Sequence, residues 1–443
     1  MMGASLRSLA LAAVLAAPAV AAAQTPRPAA APAPTAATLS LADAIQRALA
    51  NHPRVLAAAD AAAAARAVTT ESKATRYPTI FGSVTGVDAL VNSRIAAGGL
   101  NNPVIFDRYS NGVTVAQLVT DFGRSGDLVQ TAALHQQARE QDVNAARADV
   151  ELQVTAAYLG ARRAQAVLQV ADDTVAARQL VVNQITALAQ NQLKSDLDVS
   201  FANVSLGQAQ LLQLEAQNGV QARFADLAAA MGERDATIYT LVDPDDAAPA
   251  PPPVPDLTPL LASAMSARPD LLSVRADWSA ALHFASAQGE LSRPAISFAA
   301  AAGITPYHQD TLTDRYAAAG INVSIPIFTG HLFGAEHAEA VARADAESQR
   351  VRDTENRIAH DIRVAWLQAG AAFQRIALTS QLATQATRAQ DLAQSRYDLG
   401  LSSIVELSQA QLNATEARLE QANARYDYAA ALALLRYQAG QRP

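Results

Sequence analysis

The 443-residue sequence contains no cysteine, and only 5% of its residues are aromatic. The absence of cysteine excludes disulfides, thiolate zinc sites, cysteine nucleophiles and lipidation on an N-terminal cysteine. Scarce aromatic residues argue against thick globular cores, although a chain of this length would ordinarily form two to four domains. The abundance of alanine instead favours helices that approach each other closely.

Positive charge is also in short supply, with 34 Lys and Arg residues against 41 Asp and Glu and a net charge of -7. Phosphate binding requires a basic surface, so this balance argues against a nucleic-acid partner. The sequence has no Walker motif, dinucleotide fingerprint or Gly-x-Ser-x-Gly elbow. Its seven histidines show no His-Glu-x-x-His spacing. We therefore expect no enzyme, no cofactor and no metal site.

The first 23 residues have the pattern of a cleavable secretory signal. Arg7 precedes an apolar stretch from Leu9 to Val20, and Ala21 and Ala23 are small residues at the expected cleavage site. Residues 24–37 are rich in proline and alanine, which is typical of an extended lead-in. No later stretch offers about 18 uninterrupted apolar residues, so no transmembrane helix is predicted. The exported chain is then either soluble or crosses a membrane as strands.

Two similar halves make up the rest of the sequence. A shift of 216 aligns the beginnings of the halves, pairing Leu41, Ala48, Pro53 and Pro78 with Leu257, Ala264, Pro269 and Pro294. A shift of 208 aligns their later parts, pairing Tyr158, Ser195 and Gly232 with Trp366, Ser403 and Gly440. Paired prolines and glycines are not expected by chance, so we infer an internal duplication. The predicted first repeat is 38–242, followed by a proline-rich linker at 243–256 and a second repeat at 257–443.

In each repeat the predicted order is helix, two strands, helix, helix. Ser40 and Asp43 form a capping box that begins a short helix, and a second helix runs from Pro53 to Tyr77. Helices of about 67 and 38 residues are predicted for 124–190 and 195–232. The helix from Pro53 and the helix at 195–232 together match the long helix in length. Stacked end to end, they could lie against it in two columns, and a folded-back four-helix bundle is the alternative.

Period-two alternation predicts four strands, at about 79–90, 111–121, 295–304 and 316–328. The alternation is clearest in the last, where Ile321 and Val323 point to one face and Asn322 to the other. Each run has the length of a tilted transmembrane strand. Residues 77–122 and 294–333 hold ten of the 22 aromatic residues, as the interfacial girdles of a membrane barrel would. Strand propensity alone is the other explanation of this enrichment.

Four strands per chain leave open sheet edges, which lipid does not tolerate. The smallest closed membrane barrels need about eight strands, so a membrane-spanning chain must oligomerise. Three copies would supply twelve strands and twelve helical columns. The expected fold class is mainly α with a small transmembrane β part, in which duplicated long-helix hairpins form a 12-helix α-barrel and a 12-stranded β-barrel in a trimer.

This arrangement resembles the TolC-like outer-membrane efflux proteins. The resemblance is carried by Leu41 to Pro53, Arg268-Pro269-Asp270-Leu271, Ile325-Pro326-Ile327-Phe328 with Gly330, and Tyr397 to Leu407. It implies a homotrimer with a short barrel in the lipid of the outer membrane and a long helical tunnel in the periplasm. It further implies a passive exit duct coupled to a periplasmic adaptor (membrane fusion) protein and an inner-membrane pump. The family often has paired glycines where this sequence has Gly123-Arg124 and Gly330-His331.

In that family the periplasmic ends of the helix hairpins constrict the tunnel and meet the adaptor, which implies the same role for residues 188–200 and 397–409. Asp198 and Glu406 match acidic positions of the constriction, and Gln409 stands where the family has another acid. Tyr397 matches a position that can hydrogen-bond a neighbouring hairpin and hold the closed state. The implied adaptor-contact tip consists of Lys194, Ser195, Gly400, Leu401 and Ser402.

The two acids also have a purely structural interpretation. Ser195-x-x-Asp198 and Ser403-x-x-Glu406 are capping boxes, in which the acid reaches back to the amide of the cap residue. Capping and pore-facing roles therefore both stay open. For the whole protein, the leading hypothesis is a trimeric outer-membrane channel of a tripartite efflux or secretion system. The alternative is a soluble periplasmic coiled-coil adaptor or scaffold.

Overall fold

A computed structural model describes residues 38–90, 93–94, 104–235, 237–242, 252–308, 310 and 313–442. Apart from Met1–Ala37, the chain forms one compact unit, Thr38–Pro443. The predicted signal at 1–23 and the lead-in at 24–37 lie outside the described residues, as do residues 243–251 of the predicted linker.

The described chain has the same order of helix, helix, two long strands, helix, helix twice, and short strands flank only the first set. The first half contains β1 (Thr38–Ser40), α1 (Leu41–Asn51), α2 (Pro53–Ala74), β2 (Thr79–Val87), β3 (Arg108–Thr120), α3 (Arg124–Gln190), α4 (Asp196–Met231) and β4 (Thr240–Val242). The second half contains α5 (Leu257–Ala267), α6 (Pro269–Gly289), β5 (Ala295–His308), β6 (Arg315–Ser324), α7 (Leu332–Asp398) and α8 (Ile404–Gln438). Helices α3 and α7 each have 67 residues, and each is therefore about 100 Å long.

Prolines and side-chain contacts set the ends of several elements. Helix α2 ends at Ala74, three residues before the predicted end at Tyr77, because a turn precedes Pro78. Strand β6 ends at Ser324 and does not continue to 328, since Pro326 has no N–H to donate to a ladder. Strand β2 stops before the predicted 88–90, where the backbone N–H of Ala89 donates to Asp107 Oδ1 at 2.7 Å. Strand β3 starts three residues before its predicted start and ends one residue before its predicted end, and β5 ends four residues later than predicted.

The two strand-to-helix turns adopt left-handed backbone conformations without paired glycines. Phe122 and Gly123 have φ values of 57° and 124° before α3, and Gly330 and His331 have 62° and 68° before α7. Glycine adopts this region freely, whereas histidine and phenylalanine do so at a cost. Before α3, Asp121 Oδ2 accepts a hydrogen bond from the backbone N–H of Ser125 at 2.7 Å.

Glycines join the shorter helices end to end. Helices α2 and α4 pack against α3, and α6 and α8 pack against α7. Gly232, at the end of α4, has φ of 78°, and a Cβ there would lie 3.1 Å from His52 Cα and 3.3 Å from Pro53 Cδ. The end of α4 therefore meets the beginning of α2. Each half forms two helical columns, as the helix lengths predict, and not a folded-back bundle.

The same junction in the second half is reinforced by charge. Gly440 has φ of 72°, and a Cβ there would lie 3.2 Å from the backbone nitrogen of Arg268. The Arg268 guanidinium donates to both carboxylate oxygens of Asp270, at 2.6 and 3.0 Å, and to Gln438 Oε1 at 2.6 Å. Burial favours the neutral form of Asp270, but the hydrogen bonds and charge of Arg268 outweigh it, so the pKa of Asp270 is lowered.

In each half, one aromatic side chain hydrogen-bonds to the backbone of a neighbouring segment; Tyr158 is buried and Trp366 is half-buried. The Tyr158 hydroxyl donates to the Leu39 oxygen at 3.1 Å and the Val242 oxygen at 2.8 Å, which holds the parallel pair β1 and β4 against α3. Trp366, its counterpart in the duplication, donates from Nε1 to the Pro255 oxygen at 3.0 Å. Strands β1 and β4 were not predicted, because three residues are too few to show alternation.

Strands β2, β3, β5 and β6 form one antiparallel sheet in that order. The register aligns Ile80, Val115, Ala300 and Ala319 across the sheet. Residues paired in this way point to the same face. One face is therefore rich in isoleucine and valine, and the other is rich in threonine, serine and glycine, with alanine on both. The outer strands β2 and β6 each pair on one side only within the described part of the chain.

Across the described ranges, none of the helices is both long and apolar enough to span a membrane.

Candidate functional site

The far ends of the long helices bring the two candidate segments together. Helices α3 and α4 form a first hairpin with its loop at 191–195, and α7 and α8 form a second with its loop at 399–403. Near these tips, one buried apolar cluster takes side chains from all four helices, including Ile185, Leu206, Tyr397 and Leu407. The two hairpin tips of one chain therefore pack against each other.

Both tip loops turn at a residue with a left-handed backbone. Gln192 has φ of 59° and Gly400 has φ of 71°, and the shift of 208 aligns these two positions. After α7, the N–H of Gly400 donates to the Tyr397 oxygen at 3.0 Å and that of Leu401 to the Arg396 oxygen at 2.8 Å. A left-handed conformation costs a non-glycine residue about 1–2 kcal/mol. The first tip therefore carries backbone strain that the second avoids.

Asp198 is engaged in helix capping. Its Oδ2 accepts hydrogen bonds from the backbone N–H of Ser195 at 3.0 Å and from the Ser195 hydroxyl at 2.8 Å. The Ser195 Oγ in turn accepts from the N–H of Asp198 at 3.2 Å. This is a complete capping box at the start of α4. Within one chain, the half-buried Asp198 carboxylate is therefore held by its own helix.

Glu406 does not form the second half of the capping box that the sequence predicts. The Ser403 hydroxyl accepts from the N–H of Glu406 at 3.3 Å, but Glu406 Oε1 lies 3.3 Å from Arg396 Nη1. Arg396 offers a charged partner in the last turn of α7, whereas the aligned residue of the first hairpin is Leu188. The two aligned acids thus have different partners, because the residues around them differ.

Lys194 links the two tips. Its Nζ donates a hydrogen bond to the Tyr397 backbone oxygen at 3.1 Å and lies 3.7 Å from the centroid of the Tyr397 ring. A cation is attracted to the face of an aromatic ring at this distance. Lys194 is also one of the residues that the resemblance implies for adaptor contact, and within one chain its ammonium group contacts the other hairpin.

Tyr397 is buried, with 3% of its surface exposed. Its hydroxyl has no hydrogen-bond partner among the described residues. Burial first, and then the negative charges of Asp198 and Asp398, raise the pKa of Tyr397 to about 12. The hydroxyl therefore keeps its proton at physiological pH and can donate it to an acceptor that comes within reach.

The tips also expose apolar side chains that sequence reasoning did not single out. Leu193, Leu197 and Leu399 are exposed by 68%, 64% and 74%, and the predicted contact residue Leu401 by 66%. The duplication aligns Leu193 with Leu401, a signal that could have identified Leu193. Ser195 is also exposed, whereas Ser402 is half-buried. Leucines at this exposure form a surface suited to contact with another protein.

The remaining constriction candidate, Gln409, is exposed, and its Nε2 donates to Asn413 Oδ1 at 2.9 Å on the same helix. No group of three His, Cys, Asp or Glu side chains placed to hold a metal ion occurs in the described ranges. The side chains present at the tips make ion pairs, helix caps and apolar contacts.

Comparison with known proteins gives a consistent result. The family model described as outer membrane efflux protein matches residues 44–233 and 260–441. Among solved structures, a membrane protein from Pseudomonas aeruginosa is similar with 22% identity and a TM-score of 0.77, over 90% of this chain and 93% of that one. The outer membrane protein VceC from Vibrio cholerae is similar with 21% identity and a TM-score of 0.76, over 91% of this chain and 96% of that one.

The MtrE outer membrane channel of Neisseria gonorrhoeae, in its open state, is similar with 18% identity and a TM-score of 0.75, over 90% of this chain and 89% of that one. A comparison with curated proteins gives no match. At these identities, the solved structures show a shared fold.

Proposed function

Because the chain belongs to the outer membrane efflux protein family, we propose that three copies form a passive efflux channel through the outer membrane. The observation that carries this proposal is the four-stranded sheet. Its apolar face is open, with Ile80, Val84 and Ile321 exposed by 66%, 70% and 71%. Every residue of β6 is exposed, as is all of β2 except its last residue. Lipid would cover the face, and strands of neighbouring copies would cover the edges.

The strand directions support closure into a ring. The four strands alternate in direction, so β6 of one copy and β2 of the next would also be antiparallel. Two copies would give about eight strands, and a barrel of that size is filled by its own side chains. Three copies would give twelve strands and leave an open lumen, while α3 and α7 would extend the duct by about 100 Å.

We place the constriction of the channel at the hairpin tips. Three copies would bring six carboxylates, from Asp198 and Glu406, close to the axis, where they would favour cations, with Gln409 as a neutral neighbour. The buried Tyr397 hydroxyl lacks an acceptor within the described chain. In the closed state Tyr397 would donate to a neighbouring hairpin or to Asp198, whose carboxylate would then exchange its Ser195 cap for the tyrosine.

The exposed tip surface is proposed to contact a periplasmic adaptor protein, which in turn joins an inner-membrane pump. Leu193 and Leu401 would supply apolar contacts, and Ser195, Gly400 and Ser402 would border them. Since the sequence contains no Walker motif, the energy for export would come from the pump. The exposed leucines of the tip, at 66–74% for Leu193, Leu399 and Leu401, support this placement.

Membrane fractionation followed by planar-bilayer recording tests the proposal. The full chain, expressed in a Gram-negative host, should be extracted from the outer membrane as a trimer and should conduct ions without an energy source. A soluble periplasmic adaptor or scaffold, the other candidate, would remain in the periplasmic supernatant and give no conductance. The exposed apolar sheet favours the channel, because such a surface in a soluble protein promotes aggregation.

A further inference from the structure

A buried arginine lies in the seam between α3 and α8, twelve residues before the end of α3 and so roughly 18 Å from the tip. Arg178 is 7% exposed. Its one described hydrogen bond is a long one, from Nη2 to Thr415 Oγ1 at 3.5 Å. Throughout the described part of the chain, no carboxylate forms an ion pair with Arg178. Most of its five N–H donors therefore lack a protein acceptor.

The neighbouring charge that acts on this guanidinium belongs to another arginine, Arg418, which follows Thr415 by three residues on α8. Burial first, and then the positive charge of Arg418 on α8, lower the pKa of Arg178 to about 10. The group is still charged at neutral pH. Arg418 is half-buried and likewise forms no ion pair within the described ranges. Burying a charge is strongly unfavourable unless a counter-charge accompanies it.

The duplication supplies an internal comparison. The shift of 208 aligns Arg178 with Ala386, Thr415 with Gly207 and Arg418 with Gln210. The equivalent positions of α7 and α4 therefore carry no charge at all. The two cations are therefore a feature of the seam between α3 and α8 and do not belong to what the two repeats share.

We propose that the seam between α3 and α8 is a binding site for a small oxyanion, of the phosphate or sulfate class, held between the guanidinium groups of Arg178 and Arg418. The planar fork of a guanidinium matches two oxygens of such an anion. Because Arg178 belongs to the first hairpin and Arg418 to the second, the bound anion ties the two hairpins together above their tips. This site is independent of the proposed channel function.

Equilibrium dialysis of the purified full chain against radiolabelled inorganic phosphate, at constant ionic strength, tests the site. We expect saturable binding of one phosphate per chain. Arg178→Gln and Arg418→Gln should each weaken the binding at least tenfold. Arg388→Gln is the matched control, since Arg388 is an exposed arginine of α7, ten residues before the end of that helix, and its removal changes the net charge equally.

Absence of saturable binding to the unmodified chain would overturn the proposal, as would equal affinity in the Arg178→Gln and Arg388→Gln variants. If Arg178→Gln does not fold, the Arg418→Gln variant is used in its place, because Arg418 is only half-buried. Phosphate should then raise the thermal unfolding midpoint of the unmodified chain and of Arg388→Gln, but not of Arg418→Gln. A third outcome would also overturn the proposal: the unmodified chain binds no phosphate, and Arg178→Gln no longer self-associates. The counter-charge would then be a carboxylate of a second copy.

Discussion

Replacing Lys194 with methionine should loosen the contact between the two hairpin tips and increase the time the channel spends open. Lys194→Met keeps the length and apolar stem of the side chain but removes its charge and its donor. Two interactions are lost, the hydrogen bond to the Tyr397 oxygen at 3.1 Å and the contact with the Tyr397 ring at 3.7 Å. Both connect residues 203 positions apart, on different hairpins.

The magnitude follows from the two contacts. A hydrogen bond to a charged group contributes about 1.5–3 kcal/mol, and a cation over an aromatic ring about 0.5–2 kcal/mol. Because Lys194 is only half-buried, solvent reduces both values, and a combined loss of about 1–3 kcal/mol is expected. If the contact exists in the closed state only, the equilibrium between open and closed tips shifts by roughly 5- to 150-fold.

Single-channel recording in planar bilayers measures that shift as the open fraction. The chain contains one other lysine, Lys73, which is exposed on α2, so Lys73→Met is the matched control and should leave gating unchanged. A double-mutant cycle of Lys194→Met with Tyr397→Leu should give clearly non-additive effects. An open fraction in Lys194→Met within twofold of that of the unmodified chain would show that the Lys194 contact does not hold the tips closed.

Three further predictions concern stability and conduction. Gly232→Ala should lower the unfolding free energy by about 1–3 kcal/mol in thermal melts, since φ is left-handed and the added Cβ would meet His52. Gly207→Ala is the control and should not lower it, because an added Cβ there would meet no atom within 4 Å. Asp270 has a lowered pKa, so its ion pair stabilises the fold above pH 4 and is lost as the pH falls through the folded value. Asp270→Asn should therefore destabilise by about 1 kcal/mol at pH 7 in denaturant titrations and less at pH 3. Asp198→Ala with Glu406→Ala should raise single-channel conductance and weaken cation preference in reversal-potential measurements. An unchanged current would show that the tips do not form the constriction.

The sequence predicts the long elements of this fold well and the short ones poorly. Helix α3 was predicted at its observed bounds of Arg124–Gln190, because its interior lacks proline and a non-helical turn precedes it. Strand ends are predicted less well, since they depend on partners elsewhere in the chain. The Ala89 N–H, for example, donates to the Asp107 carboxylate and not to a neighbouring strand. Strands β1 and β4 pair Thr38 with Thr240, 202 positions apart, and no local pattern in three residues reveals that pairing.

At the tips, the sequence indicates the residues but not their partners. The duplication makes Asp198 and Glu406 equivalent, yet one caps a helix and the other pairs with Arg396. Lys194 and Tyr397 lie on different hairpins, and their contact depends on how α3, α4, α7 and α8 pack. Such contacts between distant residues are decided by tertiary packing, which periodicity and capping patterns do not encode.

Disulfide cross-linking between β2 of one copy and β6 of another tests whether three copies close the sheet. The sequence has no cysteine, so a pair introduced at Ser83→Cys and, in turn, Tyr316→Cys, Ala318→Cys or Gly320→Cys can only join engineered sites. The strand register places these four positions on one face of the sheet. We predict that at least one oxidised pair gives a covalent ladder that ends at a trimer, while single-cysteine chains give none. A ladder that ends at a dimer, or no cross-link from any pair, would contradict closure of the sheet by three copies.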